Sequence, residues 1–309
     1  MRRLLPAAAV ALFVAALAAA PFTLSTYGVD VLDSVGLYAL LALSLNLILG
    51  EAGLYDMGHA AFFAVGAYAT AILSTRFGVP VLLTLPAAAL AAGLFAALVA
   101  LPVLRLRGDY LLIVTVGLGE IVRIALVNDV GGLTGGANGI FGIPRPVLLG
   151  MKLKTPEQHF WLIWGAVGLT VLVFRRLSAS RFGRQLRALR EDEVAAEGSG
   201  VDTARARLTV FVLGSAWAGM AGTLFAAKMT VVSPESFGFW ESVLVFAMVL
   251  LGGAGSIPGV LLGAFLVAGL PELFRGLAGA RMLVFGLALM AMMVFRPGGL
   301  WPRRAGSAA

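Results

Sequence analysis

The chain has 309 residues, 60% of them hydrophobic and only 13% charged, with a mean hydropathy of +0.96. A soluble domain carries roughly 25% charged residues, so lipid rather than water is the expected solvent for most of this surface. The net charge of +7 does not point to nucleic acid, because the basic residues fall between apolar stretches, and the lack of cysteine excludes disulfides, thiolate metal sites and cysteine nucleophiles.

Ten apolar stretches of about membrane-spanning length are read at 4–24, 31–50, 56–75, 79–104, 110–127, 159–174, 208–230, 239–254, 256–274 and 279–295. The fold class expected is an all-α, polytopic bundle forming one membrane domain over 1–309. The first stretch follows Met1-Arg2-Arg3 and ends in Ala18-Ala19-Ala20-Pro21, as a secretory signal would. Its apolar run is long for a signal, and it is read as a retained helix. The glycine-rich third, eighth and ninth stretches are the candidates for broken or re-entrant segments.

With the N-terminus inside and all ten stretches crossing, fifteen arginines fall on the cytoplasmic side and seven Lys or Arg on the outer side. That bias places both termini in the cytoplasm. The segment 128–158 is then an outer loop dense in glycine and proline, and 175–207 a polar cytoplasmic loop.

The cytoplasmic loop holds the richest pattern. Ser180 is a helix N-cap candidate and Gly198 or Gly200 a stop signal. Between them Arg181, Arg184, Arg187 and Arg190 recur every third residue, and Phe182, Leu186, Leu189 and Val194 offer an apolar stripe. A second short helix is expected near Glu191-Asp192-Glu193, where acids suit a helix start. Such helices fit docking on a partner protein and equally fit contact with anionic membrane lipid.

Leu49-Gly50-Glu51-Ala52-Gly53 is echoed by Leu251-Gly252-Gly253-Ala254-Gly255, each opening a glycine-rich connection. Corresponding interruptions of this kind occur in repeat-built transporters, although chance similarity between glycine-rich stretches gives the same pattern. Within the fifth stretch Glu120 and Arg123 share a helix face; they either line a polar pathway or pair to fix packing. Asp56 and His59 form a second such pair, read as a satisfied helix-end contact in preference to a proton relay or metal site. His159 is assigned no role. A phosphate-binding loop needs Gly-Lys followed by Ser or Thr. The lysines are Lys152, Lys154 and Lys228, and none follows a glycine. Neither a bound cofactor nor enzymatic activity is expected.

Five blocks are similar to the branched-chain amino acid permease family of ABC importers, in particular the longer of its two paired permeases. They are Leu45 to Gly50 with Gly58 to Tyr68; Leu104 to Tyr110 with Gly117 to Arg123; Leu133-Thr134-Gly135-Gly136 through Pro146; Arg184 through Gly200; and Phe295 through Leu300. The resemblance implies about ten helices in the inner membrane and a second permease as heterodimer partner. It also implies two cytoplasmic ABC ATPases and a periplasmic substrate-binding protein that meets the outer loop. It places ATPase coupling at Arg184, Leu186, Arg187, Leu189, Glu193, Ala195, Ala196 and Gly200, and makes Gly58, His59, Glu120 and Arg123 pathway candidates. Asp56-Met57-Gly58-His59 departs from a Ser-Leu-Gly-His version in many members, and related permeases serve urea and short amides, so the substrate stays open. An ion-coupled secondary transporter using Asp56, Glu120 and Glu241 is the rival class, and a membrane enzyme a third.

Overall fold

A computed structural model describes residues 17–104, 106, 108–148 and 150–273, and beyond those only 286, 290, 294–296 and 298–301. The described part is a helical bundle. Its elements are α1 (Thr26–Leu45), continued by a π-helical turn (Asn46–Glu51), α2 (His59–Arg76), α3 (Leu85–Val103) and α4 (Asp109–Val127). After the short strands β1 (Ile140–Phe141), β2 (Val147–Leu148) and β3 (Met151–Lys152) come α5 (Pro156–Ala179), α6 (Arg181–Glu191), α7 (Glu193–Gly198) and α8 (Thr203–Met229). Strand β4 (Val231–Val232), α9 (Phe239–Gly252), α10 (Ile257–Ala264), a π-helical turn (Phe265–Gly269) and α11 (Leu270–Leu273) follow.

Six of these segments are long and apolar enough to cross a membrane: Thr26–Glu51, Val81–Val103, Asp109–Val127, Pro156–Ala179, Thr203–Met229 and Pro234–Gly252. The expected count of about ten is therefore not reached among the described residues. The expected first span has only residues 17–24 described, helical to 23, and the last, 279–295, lies almost wholly outside the described residues. The third stretch forms α2, an 18-residue helix with the polar His59 and Arg76 at its ends, and the ninth forms the shorter apolar helix Ile257–Gly269.

The bundle's centre is built by backbones in close approach. A Cβ added to Gly66 of α2 would lie 2.2 Å from the Gly219 carbonyl oxygen of α8, and one on Gly219 would lie 2.6 Å from Ala92 Cβ of α3. Ala88, Ala92, Ala96 and Ala100, spaced one helical turn apart, are all buried on the same face of α3. On its other face Leu90, Leu94, Leu98 and Leu101 are exposed, as a lipid-facing stripe would be. Between apolar helices in lipid there is little hydrophobic drive to associate, so small residues and dispersion contacts supply the cohesion. Buried hydroxyls add to it: Thr70 and Thr223 are hydrogen-bonded at 2.8 Å, and Thr84 donates to Thr70 at 3.0 Å.

The charged ends separate cleanly. At one end Lys228 bonds Asp30, Arg76 donates to the Gly132 carbonyl, and β1 pairs antiparallel with β4. There Gly139, at φ +77°, passes so close to Val232 that an added Cβ would lie 2.1 Å from its carbonyl oxygen; only glycine fits both conditions. At the other end lie α6, α7 and the glycine-rich turns after Glu51 and Gly252.

Candidate functional site

The α-helical hydrogen bonding of α1 loosens into a π turn at Asn46–Glu51 and stops at Gly53, which has a φ of +71°. π segments within helices often mark functional positions. The second glycine-rich turn, 253–256, meets this break directly. The Gly255 N–H donates to Asn46 Oδ1 at 2.8 Å, and a Cβ on Gly50 would lie 2.4 Å from Gly255 N. The two segments that echo each other in sequence are thus packed against each other. The C-terminal block seals them, with the N–H groups of Leu300 and Trp301 donating to the Leu251 and Gly252 carbonyls.

Helix α2 restarts inside the bundle, and its first N–H groups have no partners within the helix. Groups from elsewhere supply them. Asp56 Oδ1 accepts from the Gly58 N–H at 3.0 Å, Thr115 Oγ1 of α4 from Met57 at 3.1 Å, and Ser242 Oγ of α9 from Ala60 at 3.1 Å. The His59 Nδ1–H donates to Asp56 Oδ2 at 2.9 Å, and His59 Nε2 lies 2.7 Å from Ser44 Oγ of α1. Asp56, Gly58 and His59 are all buried. The expected satisfied helix-end contact describes this cluster, with Ser44, Thr115 and Ser242 as further partners. No group of three or more His, Cys, Asp or Glu that could hold a metal occurs among the described residues.

The arginine loop forms the two expected helices. Ser180 caps α6 by accepting from Gly183, and Asp192 caps α7 by accepting from Val194 and Ala195. The anticipated single apolar stripe does not form. The chain turns extended at Asp192, with φ −157° and ψ 114°, so Val194 starts a new helix and is 74% exposed. Leu186, Leu189 and Ala196 are buried against the bundle. Arg184, Ala195 and Gly200 are exposed.

Two arginines of α6 grip the break in α1. Arg190 Nη1 donates to the Gly50 carbonyl. Ser178 Oγ donates to Glu51 Oε1 at 2.6 Å, while Arg187 donates to the Ser178 carbonyl at 2.8 Å and lies 3.8 Å from Glu51 Oε2. Glu193 is ion-paired with Arg207 at the start of α8. Arg187 and Glu193, expected among the ATPase contacts, are thus engaged inside the chain.

Glu120 and Arg123 pair on α4, with Arg123 Nε donating to Glu120 Oε1 at 3.0 Å. They are far from the breaks in character: 42% and 33% of their side chains are exposed, on a helix that shows Ile113, Ile121 and Ile124 outward. Glu241, at the start of α9, is hydrogen-bonded to Tyr38 of α1. Ser44, Ser178, Thr115 and Ser242 had no sequence signal, because isolated hydroxyls in apolar helices follow no pattern.

A polytopic helical protein whose interrupted helices meet inside the bundle has the build of a membrane transport subunit. The chain belongs to the family described as branched-chain amino acid transport system, permease component, whose model matches residues 27–295. It is a transport subunit and not an enzyme. It is 42% identical over 305 residues to the high-affinity branched-chain amino acid transport system permease protein LivM of Escherichia coli, covering 91% of this chain and 72% of that one. It is 26% identical to the probable LivM of Methanocaldococcus jannaschii over 87% of this chain and 91% of the relative. It also matches the permease protein LivH of Escherichia coli, at 35% identity over 39% of this chain and 38% of the relative. No solved structure matches it.

Proposed function

We propose that this chain is one of two permease subunits of an ABC importer, passing branched-chain or related amino acids into the cell and driven by separate ATPases. A second permease, a pair of cytoplasmic ATPases and a periplasmic binding protein complete the assembly. The arginine-rich end faces the cytoplasm, the chain crosses the membrane about ten times in all, and both termini lie inside. The names of the relatives support the substrate class.

The observation that carries this reading is the tie of α6 and the end of α5 to the break in α1, through Arg190 of α6 with Gly50 and Ser178 of α5 with Glu51. The ATPases would dock on the exposed side of α6 and α7, where Arg184, Val194, Ala195 and Gly200 stand free of the bundle. Their motion on ATP binding would then reach the paired glycine breaks through Arg190 and Glu51. Arg187, Glu193, Leu186, Leu189 and Ala196 hold the docking helices to the membrane part.

Glu120 and Arg123 support the second permease as partner. Charges at mid-span cost roughly 2.5–3.5 kcal/mol each on insertion scales. A half-exposed pair is therefore poorly placed against lipid and better placed against a protein or aqueous pathway.

The test is uptake of labelled leucine into vesicles holding the complete system, with wild-type chain or Val194→Asp. ATP-dependent uptake that the variant loses, along with ATPase co-purification but not folding, supports the reading. Transport by the chain alone on an ion gradient overturns it, and uptake of urea or a short amide in place of leucine overturns the substrate class.

A further inference from the structure

A cavity of about 220 Å³ opens at the end of the bundle opposite the arginine loop, between the starts of α1 and α5, the end of α8 and the segment 145–154. Its floor contains Asp33, whose side chain is fully buried and whose two carboxylate oxygens have no hydrogen-bond partner among the described residues. Buried polar groups are nearly always satisfied, and an unpaired carboxyl is costly whether charged or neutral.

The nearby cation Lys228 gives it no hydrogen bond. Lys228 spends its three donors on the Asp30 carbonyl at 2.9 Å, Ser34 Oγ at 2.9 Å and Asp30 Oδ1 at 3.1 Å. Beside Asp33 on the cavity wall, His159 directs Nδ1 at the Thr155 carbonyl at 3.0 Å. A carbonyl only accepts, so Nδ1 carries a proton, and when the ring holds no second proton Nε2 is an acceptor. That Nε2 is buried and also has no partner. The floor therefore offers acceptors on two side chains without a donor to match them, which calls for a ligand group bearing several N–H bonds and a positive charge.

The rim has the opposite character. Arg145 and Lys154 are exposed there, and Arg145 uses Nη1 on the Lys154 carbonyl at 3.0 Å, leaving further guanidinium N–H groups for a ligand. Pro156, Ala227 and Met229 add apolar wall, and Thr230 and the paired Asp30 and Lys228 line the remainder. Drug-sized pockets run from roughly 300 to 1,000 Å³, so this one suits a molecule the size of a single amino acid.

We propose that this cavity is a binding site for a zwitterionic amino acid, its ammonium held by Asp33 and His159 Nε2 and its carboxylate by Arg145 and Lys154. The substrate class follows from the transport function proposed above; the charge arrangement is independent of it. The site would receive substrate at the outer face before it enters the pathway.

Three compounds dissect the site: L-leucine, isopentylamine, which lacks the carboxylate, and 4-methylpentanoate, which lacks the ammonium. Their binding to the permease–ATPase complex in lipid nanodiscs, without binding protein, is measured by equilibrium dialysis. Wild type binds leucine and not 4-methylpentanoate. Asp33→Asn weakens leucine and isopentylamine by about tenfold or more, as loss of a charged hydrogen bond predicts. The double variant Arg145→Gln, Lys154→Gln weakens leucine and spares isopentylamine. Asp33→Asn melts no lower than wild type, since an unpaired buried carboxyl has been removed. Unchanged leucine binding in Asp33→Asn, binding of 4-methylpentanoate as tight as leucine, or a large fall in melting temperature overturns the proposal. Uptake by the complete system is read in parallel. Uptake with unaltered binding in Asp33→Asn sinks the site alone, and no uptake of any amino acid sinks the transport reading while the three compounds still report on the site.

Discussion

Arg190 donates a hydrogen bond to the carbonyl oxygen of Gly50, joining a helix of the arginine loop to the π turn that ends α1 across 140 residues of sequence. The carbonyl is one that the helix end would otherwise leave unsatisfied, so the contact closes the break and fastens the loop together. Replacing Arg190 with alanine removes it without touching the exposed docking face. Hydrogen bonds to charged groups are worth roughly 1.5–3 kcal/mol. The expected outcome is an assembled complex that still hydrolyses ATP but moves several-fold less substrate per ATP. Paired hydrolysis and uptake measurements check this, and equal losses of both would count against a coupling role.

The close approach at Gly66 predicts a fold defect rather than a transport defect. Its added Cβ would lie 2.2 Å from a backbone oxygen, and a backbone cannot yield as a flexible side chain can. Gly66→Ala is expected to destabilise by about 1–3 kcal/mol, the range for overpacking. Thermal unfolding in detergent reads it. Gly165→Ala on α5, where an added Cβ meets nothing within 4 Å, is the neutral control.

Removing one partner of the Asp56–His59 pair leaves the other buried with broken hydrogen bonds. His59→Ala is expected to cost about 3–5 kcal/mol, as for other buried pairs broken on one side. Asp56→Asn, which keeps an acceptor for the Gly58 N–H, should cost less. If His59→Ala left stability intact but abolished uptake, the cluster would be part of the transport chemistry instead of the start of α2.

The Glu120–Arg123 pair predicts the reverse pattern. Glu120→Gln should change the stability of the isolated chain by less than about 1 kcal/mol, since the pair is partly exposed. It should weaken association with the second permease, measured by co-purification. Retained association and retained uptake together would remove the pair from both interface and pathway.

Acid should loosen the loop 129–136 through Asp129. The Thr134 N–H, the Thr134 hydroxyl, the Gly135 N–H and the charge of Arg76 hold its carboxyl below the ordinary 3.8. A carboxylate with a depressed folded pKa contributes stability that is complete above the unfolded value and is lost as pH falls through the folded one. Amide exchange across 129–136 should therefore be pH-independent in protection at neutrality and lose protection only below about pH 3.8. Asp129→Asn should show the unprotected pattern already at neutral pH.

Much of this was legible in the sequence because it depends on local rules. Ser180 and Asp192 cap the loop helices, and Gly53 stops the π turn, as residue type alone suggests. Val194 was misread because the extended turn at Asp192 resets the helical phase, which periodicity does not register. Asp33 and His159 gave no signal. Their significance lies in what fails to contact them, and the cavity joins segments more than 100 residues apart. Ser178 and Glu51 meet across 127 residues for the same reason. The stretch 56–75 was legible and forms α2, whereas the hydrogen bonds at its start from Thr115 and Ser242 join segments far apart in sequence.

The glycine and alanine seams that join α2, α3 and α8 locate the moving parts by subtraction. Backbones in direct contact leave no side chains to slide or repack, so these three helices form a keel that travels as one piece. Any shuttling between outward and inward shapes falls to what is hung on it: the paired turns at Gly50 and Gly255, and α4, which shows much of its surface to its surroundings. Evolutionary tuning of speed or selectivity can proceed at those margins, whereas a single added methyl group along the keel threatens the whole vessel.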